Sequence, residues 1–129
     1  MSIPGISHRQ VEANGLSIRI AEAGSGPLVL FCHGFPESWY SWRHQLPAVA
    51  AAGYHAVAMD MRGYGSTTQP KDISAYTVSH LIGDVVGVVN ALGASSAIVV
   101  GHDWGAPVAW WSALMRPDLF RAVACMSVP

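Results

Sequence analysis

A sharp turn between an apolar run and a helical pattern constrains the fold of this chain more than any other stretch. The run at residues 97–100 is short and rich in β-branched side chains, which is typical of a buried parallel strand. A helical pattern begins just after Gly105, and Gly101 and Gly105 lie two residues before and two after Asp103. Larger side chains there would collide as strand and helix fold back on each other. The spacing therefore predicts a tight elbow with Asp103 at its tip.

The elbow follows the pattern Gly-x-Ser-x-Gly of a nucleophile turn, with aspartate in the serine position. A carboxylate is already ionised at pH 7, so it can attack without a base that first removes a proton. The N-terminus of the following helix favours the charged form. Attack on carbon would leave an ester on the protein, and hydrolysis of that ester would need an oxyanion hole. From these residues alone, the alternative is an aspartate that caps a helix between two glycines.

The composition restricts the kinds of protein that this chain can be. Its 129 residues give room for one domain with a real core, and 51% of them are hydrophobic while only 12% are charged. Because about 25% charged residues is usual, this composition favours a parallel sheet covered on both faces, or part of a larger fold. The formal net charge is −1, without any basic or acidic run. We therefore expect neither a nucleic acid nor an anionic membrane as partner.

The cysteines, the first glycine-rich turn and the chain start point to no metal, cofactor or targeting segment. Cys32 and Cys125 each lie in an apolar run and are predicted to be buried free thiols, without metal-motif spacing. The glycine turn at residues 24–27 precedes a strand instead of opening a helix, so it is not a dinucleotide loop. No signal peptide is evident, and no apolar stretch reaches about 18 residues. We expect a cytoplasmic protein without a cofactor, a metal or a membrane span.

Apolar periodicity predicts a layered α/β architecture. Two strands at residues 8–13 and 16–23 flank Asn14-Gly15, which is a strong hairpin signal. The order then alternates between strands and helices, which indicates a mainly parallel sheet with helices on both faces. Pro47 predicts a break inside the first helix. The other predicted strands are 28–32, 54–59, 97–100 and 122–128, and the predicted helices are 39–52, 77–92 and 104–115.

The third predicted strand ends in a loop that can expose a backbone donor. Gly34 permits an unusual backbone angle, and Pro36 restricts Phe35 to extended conformations. Such a loop can turn the Phe35 N–H outward at the carboxyl end of the strand, where ligands of open α/β sheets bind. Spacing alone favours a plainer alternative, a strand-to-helix connection capped by Ser38. His33 is then a structural histidine and not a base.

Several other side chains are predicted to have structural roles. Asp60 and Arg62 directly follow a strand and are expected to pair with each other or to cap a turn. Trp110 and Trp111 are neighbours in a helix and cannot both face one side. At least one of them is expected to lie against the sheet or against a missing partner. Packing is also expected for three further aromatic side chains: Trp39, Tyr40 and Trp42.

Three stretches together resemble a known family. They are His-Gly-Phe-Pro-Glu-Ser-Trp at 33–39, Asp-Met-Arg-Gly-Tyr-Gly-Ser at 60–66 and Gly-His-Asp-Trp-Gly at 101–105. Their order and separation resemble the three N-terminal motifs of α/β-hydrolase-fold epoxide hydrolases, over residues 8–129. The resemblance implies the N-terminal portion of an α/β-hydrolase fold, with the cap and the C-terminal strands absent. It places residues 1–129 in one domain that stops where the cap would begin.

The resemblance also implies a set of site residues. Asp103 would be the nucleophile, and the backbone N–H groups of Phe35 and Trp104 would form the oxyanion hole. A cis peptide bond between Phe35 and Pro36 would present the first of these donors. The supporting positions in the same motifs are His33, Gly34, Pro36, Gly101, His102 and Gly105.

The implied reaction converts a small apolar epoxide into a vicinal diol. Asp103 would attack a ring carbon while two cap tyrosines hold the ring oxygen. A histidine oriented by an acidic residue would then activate the water that cleaves the ester. None of the histidines or tyrosines of this chain lies at those family positions. A second chain or a missing segment is therefore expected to complete the site, and we expect no turnover by these 129 residues alone.

Two alternatives stay open at this point. Haloalkane and haloacetate dehalogenases also use an elbow aspartate. The first group usually has a polar residue at the position of Phe35, and the second usually has arginine at that of Trp104, so both differences favour the epoxide. The other alternative is an inactive truncated module that serves in association. The apolar composition and the open sheet edge expected beside residues 122–128 would fit that role.

Overall fold

The structure is a computed structural model that describes residues 3–127, and its centre is a six-stranded sheet. In chain order the strands are β1 (Ser7–Ala13), β2 (Leu16–Ala23), β3 (Leu28–Cys32), β4 (His55–Met59), β5 (Ala97–His102) and β6 (Phe120–Met126). Across the sheet their order is β1-β2-β4-β3-β5-β6. The pairs β1–β2 and β2–β4 are antiparallel, and the other three neighbouring pairs are parallel. The predicted mixed sheet with a hairpin start is confirmed.

The helices of residues 3–127 cover both faces of this sheet. On one face lies α1 (Gln45–Ala51), and on the other lie α2 (Val78–Ala91) and α3 (Gly105–Met115). Successive residues of a strand point to opposite faces. In β3, Leu30 therefore packs in the core beneath α2 and α3, while Phe31 packs on the α1 side. All residues of β3 are buried, as a central parallel strand requires.

The connection after β3 differs in detail from the single helix predicted over residues 39–52. A 3₁₀ turn at Trp39–Trp42 comes first, and the Ser38 hydroxyl caps it by accepting a hydrogen bond from the N–H of Tyr40. α1 begins only after this turn, so the predicted break is confirmed. Pro47 lies within the first turn of α1, where a missing N–H removes no hydrogen bond.

The last two strands have other bounds than the predicted ones. β5 continues beyond the predicted residues 97–100 and ends at His102, directly before the elbow. β6 begins at Phe120 instead of residue 122 and ends at Met126. The predicted end of this strand at residue 128 lies outside the described residues.

Of the two roles expected for Asp60 and Arg62 in the loop after β4, Asp60 has the capping role, and the two side chains do not pair with each other. The Asp60 carboxylate accepts hydrogen bonds from the N–H groups of Trp39 and Ser66 at 2.9 and 3.3 Å, so it caps this turn. The Arg62 guanidinium forms two hydrogen bonds of 2.8 Å to the carboxylate of Asp84 on α2. Both members of this ion pair are buried. Local spacing could not indicate this partner.

β6 and the outer side of α3 form an exposed apolar surface. Trp110 and Trp111 are 43% and 47% exposed, so neither is buried against the sheet, contrary to one of the two options expected. Leu114 and Met115 are also exposed. In the described part of the chain no strand lies beyond β6. This exposed surface explains part of the apolar composition of the chain.

The two cysteines are free, as predicted, but only one is fully buried. Burial raises the pKa of the Cys32 thiol to about 12. Cys125 is half-buried because it lies on β6, which has no outer neighbour among residues 3–127. No helix of the described chain is long and apolar enough to cross a membrane. Across the same residues, the structure contains no cluster of three or more His, Cys, Asp or Glu side chains that could hold a metal ion.

Candidate active site

Asp103 lies at the tip of the turn between β5 and α3. Its φ of +56° is in the left-handed region that residues other than glycine rarely adopt, so the turn stores backbone strain at this position. A Cβ on Gly101 would collide with the backbone of Gly105 and Ala106. A Cβ on Gly105 would collide with the carbonyl oxygen of Cys32 on β3. The two glycines therefore permit the close approach of β5, α3 and β3 on which the elbow depends.

A backbone N–H group contacts the carboxylate of Asp103. The N–H of Phe35 donates to its Oδ2 at 3.1 Å. The nearby N–H groups of Phe35 and, to a lesser extent, Trp104 hold the pKa of Asp103 below its usual value, because they favour the charged form. The side chain is also partly exposed. Asp103 is thus an accessible, ionised carboxylate at neutral pH, and Oδ2 is the oxygen that accepts the hydrogen bond from Phe35.

The loop after β3 comes close to Asp103 because residue 34 is glycine. A Cβ on Gly34 would collide with the Cβ of Asp103 and would lie 2.8 Å from its Oδ2. Any larger residue would therefore displace the loop that carries the Phe35 donor. The peptide bond between Phe35 and Pro36 is cis, as the resemblance predicts. The Phe35 side chain is 62% exposed and presents an apolar surface beside the carboxylate.

Glu37 ties the donor loop to the elbow, a role that was not assigned to it from the sequence. Its Oε1 accepts a hydrogen bond from the N–H of Gly34 at 2.7 Å and lies 3.3 Å from Nδ1 of His102. The carboxylate therefore bridges the residue before Phe35 and the residue before Asp103. The only sign of this role in the sequence is that Glu37 is an ionisable residue inside a motif. Its partners, Gly34 and His102, could be identified only from the pairing of β3 with β5.

His33 is buried, and both of its ring nitrogens are occupied. The N–H of Met61 donates to Nε2 at 3.0 Å, so this nitrogen carries no proton. Nδ1 then carries the proton and donates to the carbonyl oxygen of Gly34 at 2.8 Å. Burial lowers the pKa of His33, which keeps the ring neutral. These contacts fix the loop and leave no free nitrogen to act as a base.

A buried polar network supports the loop after β4, which runs past the elbow. Besides its pair with Asp84, Arg62 donates from Nη1 to the carbonyl oxygen of Ala75 at 2.6 Å. The Asn14 amide donates to Asp84 at 2.9 Å, so the network joins the β1–β2 hairpin, α2 and this loop. Asp84 was not singled out from the sequence. A carboxylate next to Val85 on the apolar side of a predicted helix was the signal that could have found it.

The sheet order, the elbow after β5 and the donor loop after β3 define the class of this protein. Residues 27–129 match the α/β hydrolase fold family, and the chain belongs to that family. The predicted fold class, the N-terminal portion of this fold, is therefore confirmed.

Proteins similar to this chain include relatives named epoxide hydrolases. The chain is 54% identical over 125 residues to an epoxide hydrolase of Caballeronia sordidicola, and 52% identical over 126 residues to epoxide hydrolase B of Mycobacterium tuberculosis. These matches cover 97% and 95% of this chain but 38% and 35% of the relatives. The predicted resemblance to epoxide hydrolases is confirmed.

Solved structures give the same result. An epoxide hydrolase from Vigna radiata and one from an endophytic Streptomyces each superpose on this chain with a TM-score of 0.96, at 53% and 56% identity. The superpositions cover 100% and 98% of this chain, and 40% and 38% of those proteins. The chain thus spans about two fifths of the length of the relatives that it matches.

Proposed function

We propose that the protein containing this chain hydrolyses small apolar epoxides to vicinal diols, with Asp103 as the nucleophile. One observation carries this proposal: an accessible, ionised carboxylate stands at a strained elbow with the Phe35 N–H on one of its oxygens. High identity to proteins named epoxide hydrolases supports the choice of substrate.

In the first half-reaction, Asp103 attacks a ring carbon through Oδ1, since Oδ2 is the oxygen that accepts the hydrogen bond from Phe35. A bond forms between Oδ1 and carbon, the ring C–O bond breaks, and its electron pair stays on the ring oxygen. That oxygen then needs a proton, which residues outside this chain are proposed to supply. Oδ2 becomes the carbonyl oxygen of the ester without leaving the donors.

In the second half-reaction, water gives a proton to a base and attacks the ester carbon, and the negative charge develops on Oδ2. The bond between that carbon and Oδ1 then breaks, so the diol leaves with Oδ1 and takes up a proton, and the carboxylate of Asp103 keeps the oxygen of the water. The N–H groups of Phe35 and Trp104 are then the oxyanion hole, and loss of one such donor commonly slows a reaction by about 10²–10³-fold. The water needs a base. His33 has no free nitrogen, and His102 lies beside Glu37 and packs edge-on against Trp42.

We therefore assign the base, its acidic partner, the two ring-opening tyrosines and the cap to residues beyond this stretch or to a second chain. The ester formed on these 129 residues alone is then expected to persist. A dehalogenase remains the second candidate for the same elbow chemistry. The Phe35 side chain, which is 62% exposed at the site, offers no hydrogen-bond donor to a halide ion, and residue 104 is not the arginine that is usual in haloacetate dehalogenases, so both positions favour the epoxide.

The test is intact-mass spectrometry after incubation with styrene oxide, on the 129-residue chain and on the protein at its full natural length. We expect a persistent adduct of one epoxide on Asp103 in the short chain, and turnover to phenylethanediol by the long one. Asp103→Asn is the matched control and should form no adduct. Halide release from a chloroalkane without diol formation would instead identify a dehalogenase. No adduct and no diol in either protein would identify an inactive association module.

A further inference from the structure

The β1–β2 hairpin turns at Asn14-Gly15, a pair of residues that lies outside the three motifs. Both residues are exposed, and both have a positive φ, +52° for Asn14 and +76° for Gly15. The turn needs this backbone conformation, which asparagine and glycine adopt at low cost. An asparagine amide before a glycine is also chemically labile, because no side chain on the glycine obstructs attack by its backbone nitrogen. The hairpin therefore exposes a pair of residues that can react with each other.

The backbone nitrogen of Gly15 is unobstructed in this turn. Its N–H donates no hydrogen bond to another of residues 3–127. A Cβ placed on Gly15 would meet no atom within 4 Å, so the residue lies beside open space. Water and base from the solvent therefore reach the nitrogen that would attack the Asn14 side chain.

The Asn14 amide, in contrast, is held against α2. Its Nδ2 donates to Oδ1 of Asp84 at 2.9 Å and to the carbonyl oxygen of His80 at 3.4 Å. Gly83 leaves room for this contact, because a Cβ there would lie 2.7 Å from Nδ2. Asp84 is buried and is also the partner of Arg62, so the amide is one member of the buried polar network. Since Nδ2 would leave as ammonia, both of its hydrogen bonds must break for the amide to react.

We propose that Asn14 is a site of spontaneous deamidation, that the hydrogen bond to Asp84 limits its rate, and that the product disrupts the buried network. In the first step the Gly15 nitrogen loses its proton to solvent base and attacks Cγ of Asn14. A bond forms between these two atoms, the bond from Cγ to Nδ2 breaks, and Nδ2 takes up a proton and leaves as ammonia. Water then adds to one carbonyl carbon of the succinimide ring and breaks the bond from that carbon to the ring nitrogen. Opening at Cγ gives aspartate, and opening at the backbone carbonyl carbon gives isoaspartate.

Both products remove the amide donor from Asp84. Aspartate places a carboxylate oxygen where Nδ2 lies, 2.9 Å from Oδ1 of the buried Asp84 and beside the carbonyl oxygen of His80. Two carboxylates that share a site repel each other, and burial leaves little water to screen them. Isoaspartate instead routes the chain through Cγ, which adds a methylene to the backbone of the two-residue loop and disturbs the register of β1 and β2. In either case the hairpin loses its link to α2 and to the loop after β4.

The first test measures the reaction in the protein at full natural length. The protein is incubated in mildly alkaline buffer, and peptide mapping by mass spectrometry quantifies aspartate and isoaspartate at residue 14. Asn90 is the internal control, because it is also exposed but precedes Ala91 within α2. We expect conversion of Asn14 and none of Asn90 over the same time. No conversion at residue 14, or equal rates at the two asparagines, overturns the proposal.

Gly83→Ala tests the role of the hydrogen bond to Asp84. Its Cβ displaces the Asn14 amide from α2, and alanine favours the helix, so the fold tolerates the change. Ser79→Ala is the matched control, an exposed change on the same helix. We expect deamidation about tenfold faster in Gly83→Ala, since a hydrogen bond to a charged group commonly changes an equilibrium by at least that factor. The rate in Ser79→Ala should be unchanged, and equal rates in all three proteins overturn the limiting role of the bond.

Asn14→Asp installs one product directly and tests its effect on the network. We expect its urea midpoint at neutral pH to lie below that of the unchanged protein, because the new carboxylate faces Asp84. Asn90→Asp is the control, since it adds the same charge at an exposed helical position and should shift the midpoint little. A loss in Asn14→Asp that is no greater than the loss in Asn90→Asp overturns the predicted disruption.

Discussion

The two edge strands of the sheet differ in the surface that they present. The outer side of β1 is polar, with exposed residues such as Arg9 and Glu12, and Arg9 forms an ion pair with Glu22 on β2. The exposed positions of β6 are Arg121 near its start and then Ala122, Ala124 and Met126. Charged side chains are a common protection of strand edges that face water. β1 thus has charged residues along its length, whereas β6 has one at its start and is otherwise apolar at its exposed positions.

The β1 side and the β6 side of the sheet also differ in the contacts that the described residues make. On the β1 side, the hairpin, α2 and the loop after β4 close on one another through buried polar contacts. On the β6 side, the elbow is formed but its surroundings are open. The two are connected, because the N–H of Asp103 donates to the carbonyl oxygen of Met126 at the end of β6, at 3.4 Å. A substitution that moves the end of β6 is therefore expected to reach the nucleophile through this hydrogen bond.

The largest effect is expected from breaking the buried polar network on the β1 side of the sheet. Asp84→Ala leaves the buried Arg62 guanidinium without its partner, and we expect a loss of about 3–5 kcal/mol in the free energy of unfolding. Urea unfolding measures this loss. The control is Asp118→Ala, which removes an exposed pair with Arg116 and should change stability little. Equal losses in the two variants would contradict the distinction between a buried network and a surface pair.

The next largest effect should fall on chemistry at the elbow. Gly34→Ala pushes the donor loop away from Asp103, because its Cβ would overlap the aspartate side chain. We expect hydrolysis of the Asp103 ester at full natural length to slow by about 10²–10³-fold, since the Phe35 N–H is lost from Oδ2, where the charge develops in that step. Intact-mass time courses measure this rate. Ser38→Ala changes the same loop away from the carboxylate and should react like the unchanged protein.

A smaller change in stability should distinguish the edge strand β6 from the edge strand β1. Ala124→Lys on β6 is expected to change the stability of the 129-residue chain by no more than about 0.5 kcal/mol and to reduce its self-association. At full natural length the same change should destabilise by about 1–3 kcal/mol, because a covering element would bury the ammonium group. Glu12→Lys on β1 is the control and should be neutral in both proteins. Sedimentation and urea unfolding measure the two properties.

The smallest effect is a pH dependence on the β1 side. Burial raises the pKa of Glu22, but hydrogen bonds from Arg9 and His55 outweigh it and lower the pKa overall. Since the pKa is lower in the folded state, the contribution of Glu22 is present above its unfolded pKa of about 4.3 and is lost as the pH falls through the lower folded value. The stability difference between the protein and Glu22→Gln should therefore shrink below about pH 4. Ser7→Ala, a change on β1 that removes no ionisable group, is the control and should show no such trend.

Local patterns were sufficient to predict the elements of the fold. The hairpin at Asn14-Gly15, the apolar run before Asp103 and the break near Pro47 all depend on residues within a few positions of one another. Contacts between residues far apart in the sequence could not be predicted from local patterns. The pairing of Arg62 with Asp84 depends on how α2 packs beside the loop after β4.

The candidate site was predicted unevenly for the same reason. The tight elbow follows from two glycines, because their steric role is local. The placement of the Phe35 loop beside it came from the resemblance. The bridge made by Glu37 between Gly34 and His102 was missed, because it requires β3 and β5 to be neighbours. Paired residues of these strands, such as Cys32 and Gly101, are 69 positions apart in the sequence, and no sequence pattern records that pairing.

The register of β3 and β5 has a consequence for how the site can change. Cys32 is paired with Gly101, so the donor loop and the elbow leave adjacent strands at the same level of the sheet. The strand spacing of about 4.8 Å therefore sets how far apart the two loops begin, and Gly34 allows the loop after β3 to close the rest of the distance. A slip of the ladder by one residue would reverse the facing of the side chains and separate the two groups. Substitutions that shift this ladder should thus alter the reactivity of the carboxylate without contacting it.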